Sequence, residues 1–135
     1  MRLDHETVGL YAETLVRQAA ASNLLLDYSQ ASLGTLDGLL AGSDEHYALL
    51  PDAQRELVIF YAGCYVGEVI VRTLDGLWQF APAWHESTVV VPRASGGVEV
   101  RPFEKLSRRL AEGESSNRLT EYLQGILELL QELPV

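Results

Sequence analysis

The spacing of apolar residues predicts an amphipathic helix near the start of the chain. Between Asp4 and about Ser22, apolar side chains recur every three or four residues, which places them on one face of an α-helix. These side chains are Val8, Tyr11, Ala12, Leu15, Val16 and Ala19. We expect the Asp4 carboxylate to accept a first-turn amide hydrogen bond and so to cap this helix.

A second, shorter helix is predicted to begin at Ser29, whose hydroxyl suits an N-cap. Tyr28 and Leu33 flank this cap at the spacing of a hydrophobic staple. The apolar face of the helix consists of Leu33, Leu36 and Leu40. Gly42 is expected to end the helix, because glycine readily takes the left-handed conformation of a helix terminus. The polar residues that follow, as far as Pro51, predict a surface loop.

The most apolar segment runs from Asp52 to about Arg72 and predicts a third helix, capped by Asp52. Its apolar side chains lie all around the helical cylinder, so we expect it to be the central and most buried helix. The apolar stretch 57–71 contains Glu68 and is shorter than the roughly 20 residues that span a bilayer. We therefore expect a buried helix and no membrane association.

Short β-branched and aromatic runs follow this helix and predict three antiparallel strands. The runs are Trp78 with Phe80, residues 88–91 and residues 98–100. Asp75-Gly76 precedes them, and Pro82, Pro92 and the turn 95–97 separate them.

Two further helices are predicted after the strands. Pro102 suits a first helical turn, and Gly113 is expected to close the fourth helix. Its apolar face consists of Phe103, Leu106 and Leu110. Ser115 or Ser116 is expected to cap the fifth helix, which Pro134 ends. Its apolar face consists of Leu119, Tyr122, Leu123, Ile126, Leu127 and Leu130.

This order of elements predicts the α+β class. About five helices pack with a small three-stranded antiparallel sheet, around a central helix near residues 52–72. No β-α-β alternation calls for a parallel sheet. A length of 135 residues suits one compact domain spanning residues 1–135.

Composition narrows the possible functions. Apolar residues make up 47% of the chain and charged residues 21%, which is typical of a globular protein. The net charge of -9 argues against nucleic acid as a partner, because phosphate binding needs clustered positive charge. Cys64 is the only cysteine, and acidic residues occupy the N-terminus where a signal peptide would be basic and apolar. We therefore expect a cytoplasmic protein.

The usual signatures of catalysis and of cofactor binding are absent from the sequence. Residues 95–97 lie between two predicted strands, so they indicate a hairpin turn rather than a phosphate-binding loop. His5, His46 and His85 lie on three separate segments, and we expect no metal and no cofactor. Cys64 lies in mid-helix without an adjacent basic residue, which favours packing over nucleophilic chemistry.

A polar stripe on the third helix is the strongest candidate for a site. Tyr61, Tyr65, Glu68 and Arg72 line up at helical spacing, and Glu68 can pair with Arg72 one turn later. The stripe is either a ligand-binding pocket or a buried network that satisfies itself, and we favour the network. The opposite face carries Gly63 and Gly67, where the absence of side chains lets a neighbouring element approach closely.

The window 101–118 reverses the charge balance of the rest of the chain. Its five basic and three acidic residues give +2, so the total of -9 leaves -11 for the remainder. The basic residues are Arg101, Lys105, Arg108, Arg109 and Arg118. The window could receive an acidic partner or an anion. We favour a solvated helix face with intrahelical ion pairs.

Residues 63–70 also support a family resemblance. This helix resembles the Gly-x-Tyr-x-Gly-Glu-Val-Ile helix of a group of small bacterial proteins of unassigned function. Tyr28-Ser29, Trp78 and the segment 102–105 extend the resemblance, which spans roughly residues 27–122. It implies a free-standing cytoplasmic domain and supplies no catalytic residues.

Two functions from different classes fit these observations. The first is a non-catalytic domain that binds another protein, as immunity-like or regulatory proteins do, with its acidic surface steering it to a basic target. The alternative is a small-molecule binding protein, or a minor enzyme, with the Tyr61, Tyr65, Glu68 and Arg72 stripe as its pocket. The apolar face of the last helix, widened by Leu129 and Leu133, further predicts a homodimer or partner surface over residues 119–133.

Overall fold

The computed structural model describes residues 2–41, 49–115 and 117–134. In those ranges the chain forms five α-helices and a three-stranded antiparallel sheet, which confirms the α+β prediction. The elements are α1 (Val8–Ala21), α2 (Ser32–Ala41), α3 (Asp52–Leu74), β1 (Leu77–Gln79), a 3-10 turn (Trp84–Glu86), β2 (Thr88–Arg93), β3 (Gly96–Val100), α4 (Pro102–Glu112) and α5 (Leu119–Gln131). The predicted helix end at Gly42 and most of the predicted loop 42–51 lie outside the described residues.

Helix α3 is the centre of the fold, as its apolar pattern predicts. Every residue from Ala62 to Ile70 is buried, and so is Phe60. The helix packs mainly against α1 and α4 and also contacts β1 and β2, whereas α2 packs against α5. By length and composition alone, α3 would be long and apolar enough to cross a membrane. The neighbouring elements cover its middle, which makes it the core helix of this fold.

The two glycines of α3 allow aromatic rings to pack against the helix backbone. A Cβ atom at Gly63 would lie 2.3 Å from the Phe103 ring, and one at Gly67 would lie 2.1 Å from the Trp78 indole. Such distances are far below van der Waals contact. The expected close approach is therefore made by side chains from α4 and β1.

The sheet has the order β1-β2-β3, with Trp78 opposite Val89 and Val89 opposite Val100. Pro92 was expected to separate two strands, but it lies inside β2. Proline is tolerated there because β1 pairs only with residues 88–90, so Pro92 faces no third strand.

The predicted N-terminal caps of the helices agree with the structure in some cases and differ from it in others. Asp4 Oδ1 accepts the amides of Glu6 and Thr7 at 2.9 and 3.0 Å in the turn that leads into α1. The Ser29 hydroxyl accepts the Ser32 amide at 3.1 Å before α2. The predicted Ser29 cap is therefore confirmed, whereas the Asp4 carboxylate caps only the turn before α1, whose N-cap is Thr7 without a side-chain cap hydrogen bond.

The other two predicted caps are wrong. Pro51 occupies the N-cap of α3, and Asp52 is already helical and pairs with Arg55 at 3.2 Å. Helix α5 begins at Leu119, four residues after Ser115, and its N-cap is Arg118; Ser116 lies outside the described residues. Its first amides are bound by a carboxylate from α2, which a search for local caps cannot find.

Candidate functional site

Tyr65, at the middle of the predicted stripe, is completely buried, and its hydroxyl forms two hydrogen bonds. Its hydroxyl shares a 2.6 Å hydrogen bond with Ser32 and accepts the Tyr28 amide at 2.9 Å. The Tyr28 ring stacks on the Tyr65 ring with centroids 5.0 Å apart. Burial raises the pKa of Tyr65 above its ordinary value, so the phenol stays neutral. Tyr65 thus connects α3 to the start of α2.

Glu68 is also buried and has two partners. The Trp78 indole N–H donates to Oε2 at 3.1 Å, and Arg72 donates to Oε1 at 3.4 Å. The Arg72 guanidinium lies 3.6 Å from the centre of the Tyr28 ring, while its side chain stays 47% exposed. The carboxylate therefore joins α3 to β1 and holds Arg72 at the surface.

Tyr61 does not join this network. Its ring lies beside Phe60 and Tyr11, with centroids 5.6 and 6.2 Å away. Three of the four predicted residues form two hydrogen-bonded sets that meet where Arg72 lies over the Tyr28 ring. We call the joined sets the α3 network: Tyr65, Glu68 and Arg72 with Tyr28, Ser32 and Trp78. The fourth residue lines an apolar groove instead.

That apolar groove, between α1, α2 and α3, has a volume of about 350 Å³. Leu57 on its wall is 42% exposed. Besides Tyr61, the lining consists of Leu15, Gln18, Ala19, Leu36, Leu39, Leu40, Leu57, Val58 and Ala62. The groove offers hydrophobic contact and almost no polar chemistry.

A second concavity, which we call the acidic cleft, has a volume of about 390 Å³ and lies between α3, the 3-10 turn and α4. Aromatic and apolar side chains mix here with charged ones. The lining consists of Glu56, Ile59, Trp84, His85, Glu86, Arg101, Phe103, Glu104 and Ser107. Tyr65, Glu68 and Arg72 line neither concavity.

A second polar cluster, which the sequence analysis missed, joins α2, α4 and α5. The Arg109 side chain has no exposed surface and donates to the Asp37 carboxylate at 2.7 Å and to the Asp37 carbonyl at 3.1 Å. The same carboxylate accepts the Leu119 amide at 2.8 Å and the Thr120 amide at 3.2 Å. Asp37 therefore caps the start of α5 from a different helix, while Arg118 occupies the N-cap position.

This cluster corrects the prediction that residues 101–118 form a solvated face. Arg108 and Arg118 do pair locally, with Glu104 at 2.9 Å and with Glu114 at 3.2 Å. Arg109 instead turns inward, because it lies on the apolar side of α4 between Leu106 and Leu110. A basic residue among apolar face positions, and a lone acid in the apolar run of α2, were the sequence signals for the pair.

The remaining candidate residues, the cysteine and the histidines, form no catalytic or metal-binding site among the described residues. Cys64 is buried, and burial raises its thiol pKa further from the neutral range, so the reactive thiolate is disfavoured. Within the part of the chain that the structure describes, no three metal-ligating side chains cluster. His46 lies outside that part.

A comparison with known proteins finds no matching family model, no matching curated protein and no matching solved structure. The resemblance to small bacterial proteins over residues 27–122 therefore stays a prediction.

Proposed function

We propose that this chain is a non-catalytic protein-binding domain, of an immunity-like or regulatory kind. The observation that carries the proposal is the pairing inside the α3 network. Tyr65, Glu68 and Arg72 each have partners within the fold, so the residues best placed for a small-molecule pocket already stabilise the core. A pocket for substrate would need these groups to point into a cavity.

The two concavities support the same proposal. The apolar groove and the acidic cleft are open to solvent, and both include residues of α3. A net charge of -9 favours rapid association with a basic partner, because opposite charges steer the encounter. The proposed location is the cytoplasm, which suits a chain whose single cysteine is a buried free thiol.

The test is partner capture followed by reconstitution. The tagged chain is expressed in its source cells, cross-linked and purified, and each co-purifying protein is then produced separately. We expect one basic protein to bind the purified chain at 1:1 stoichiometry, with affinity that falls as salt concentration rises. Native mass spectrometry showing a small molecule on the chain, and no protein that binds on reconstitution, would favour the Tyr/Glu/Arg pocket alternative instead.

We further propose that residues 119–133 form a homodimer or partner surface. Helix α5 buries Leu119, Leu123, Ile126 and Leu130 within the fold, while Leu129 stays 44% exposed. Light scattering of the wild type beside a Leu129→Glu, Leu133→Glu double variant tests it. We expect a wild-type dimer and a monomeric variant. A wild type that is monomeric at high concentration excludes the homodimer, and a dimeric variant excludes this helix from the interface.

A further inference from the structure

The acidic cleft combines an aromatic floor with a charged rim. Trp84 and Phe103 meet edge to face with ring centroids 5.2 Å apart, and Phe60 supports Trp84 from the core at 5.0 Å. Both Trp84 and Ile59 are partly exposed. The His85 ring also meets the indole edge to face, with centroids 5.6 Å apart. A partly exposed indole held by three other rings is a rigid apolar surface, and its π face attracts cations.

The rim has more negative charge than its own basic residue can neutralise. Arg101 is held by Glu99 at 3.1 Å and by Glu104 at 3.8 Å, and Glu104 also pairs with Arg108 at 2.9 Å. Glu56 and Glu86, from α3 and from the 3-10 turn, have no ion pair with any of the described residues. Two carboxylates from separate elements therefore line the same cleft without an ion pair, while the one arginine of the lining, Arg101, pairs with Glu99 and Glu104.

We propose that the acidic cleft binds an arginine side chain of a basic protein partner. This inference rests on the proposed protein-binding function and specifies the chemistry of the partner. A guanidinium is planar and weakly hydrated, so it can stack on the Trp84 indole while its N–H groups donate to the Glu56 and Glu86 carboxylates. The cleft volume of about 390 Å³ lies within the range of ligand sites, roughly 300–1,000 Å³.

The exposure of the lining residues favours a side chain over a free small molecule. Glu56, Glu86 and Glu104 are exposed at the rim, whereas Phe103 at the floor is buried. A ligand that reaches from the floor to the rim has its other end outside the protein. A side chain of a partner protein fits this arrangement, because its backbone end stays outside the cleft.

Nuclear magnetic resonance on the intact chain can test this inference without the natural partner. The probe is the peptide acetyl-Gly-Arg-Gly-amide, with the citrulline peptide as an uncharged match and free arginine amide as a small-molecule match. The chain has two tryptophans, and their indole N–H signals report separately. Trp84 lies in the cleft, while the Trp78 indole is bonded to Glu68 and serves as an internal reference.

We expect the arginine peptide to shift the Trp84 indole signal saturably, with a much smaller shift at Trp78. The citrulline peptide is expected to bind at least about tenfold more weakly, since it lacks the charge. A Glu56→Gln, Glu86→Gln double variant is expected to lose binding by a similar factor. Glu6→Gln with Glu132→Gln makes the same change of net charge away from the cleft and is expected to bind as the wild type does.

Three results would overturn the inference. The first is no saturable shift at Trp84, or equal shifts with both peptides. The second is an equal loss in the two double variants, which would mean binding by overall charge. The third is tighter binding of free arginine amide than of the peptide, which would assign the cleft to a small molecule. Each result is independent of partner capture, so the protein-binding proposal can succeed where this assignment fails.

Discussion

The α3 network and the Asp37–Arg109 cluster use similar chemistry in different ways. In the α3 network the ion pair spans one helical turn, and the Arg72 side chain is 47% exposed. In the second cluster the paired residues are 72 positions apart in the sequence, and the Arg109 side chain has no exposed surface. One pair is local and half solvated, whereas the other is long-range and dry.

This difference determines how much each pair matters for stability. A solvent-exposed ion pair contributes little, about 0–1 kcal/mol, because water screens it and the side chains lose freedom. Removing one partner of a buried pair costs far more, because the remaining charge has lost water and counter-charge together. The pair that is visible in the sequence is therefore the less important one. Substitutions at Asp37 and Glu68 test this ranking, and substitutions at Gly67 and Tyr65 test the packing and the protonation of the α3 network.

The largest effect is expected at Asp37. Replacing it with alanine removes the carboxylate from the buried Arg109 guanidinium and from the first amides of α5. We expect Asp37→Ala to lower the free energy of unfolding by about 3–5 kcal/mol, measured by urea denaturation. Glu104→Ala, which breaks the exposed 2.9 Å pair with Arg108, is the matched control and should cost less than about 1 kcal/mol. Equal losses in the two variants would contradict the ranking.

The next effect concerns the packing that holds the α3 network in place. Gly67→Leu would drive a side chain into the Trp78 indole and displace it from Glu68. We expect a loss of about 1–3 kcal/mol or more from overpacking, visible in the denaturation midpoint. Gly125→Leu on α5 has open space around its Cβ position and is expected to leave stability unchanged or slightly higher. A wild-type midpoint for Gly67→Leu would place that residue at the surface.

The Glu68→Ala substitution distinguishes two interpretations of the α3 network, a structural network and a ligand site. If the network is structural, the Trp78 indole and Arg72 lose their acceptor, and we expect a loss of about 1–3 kcal/mol. Arg72→Ala removes only the half-exposed partner and should cost less than about 1 kcal/mol. Thermal unfolding of both variants measures the difference. A melting temperature of Glu68→Ala equal to or above wild type would instead indicate a strained binding site.

The smallest expected effect is the loss of folding stability at alkaline pH that the ionisation of Tyr65 causes. Burial raises its pKa above 10.0, so the folded chain holds this proton more tightly than the unfolded chain does. The resulting stabilisation is complete below about pH 10 and decreases as the pH rises further. We expect Tyr65→Phe to be less stable than wild type at pH 7 but to lose less stability between about pH 9 and pH 11. Parallel stability curves for the two proteins would contradict this.

The fold was largely predictable because its main signals are local. The all-round apolar pattern of 52–72 identified the central helix, and Pro102 and Gly113 marked the ends of α4. Ser29 was identifiable as a cap because its hydroxyl accepts an amide only three residues later, at the start of α2. Helical periodicity likewise brought Tyr65, Glu68 and Arg72 together.

The Asp52 cap and the strand break at Pro92 failed locally, but the failures at the polar clusters and the cleft share a physical cause, which is distance along the chain. The cap of α5 comes from Asp37, so no residue near Ser115 shows it. Arginine is usually a surface residue, and the burial of Arg109 is favourable only because α2 brings the Asp37 carboxylate against it. Tyr61 follows the same helical stripe as Tyr65, but what lies opposite each ring depends on tertiary packing. The aromatic floor of the acidic cleft likewise combines Trp84 and Phe103 from separate elements.

The long-range cap also sets an order of events during synthesis of the chain. Asp37 leaves the ribosome before residues 109–120, which contain Arg109 and the first amides of α5. Until that stretch has been made, the Asp37 carboxylate can be satisfied by water but not by its native partners. The hydrogen bonds of Asp37 that hold α2, α4 and α5 together can therefore form only after most of the chain has been translated. A translation pause before residue 109 would leave the Asp37 carboxylate of α2 exposed, although the finished protein keeps it covered.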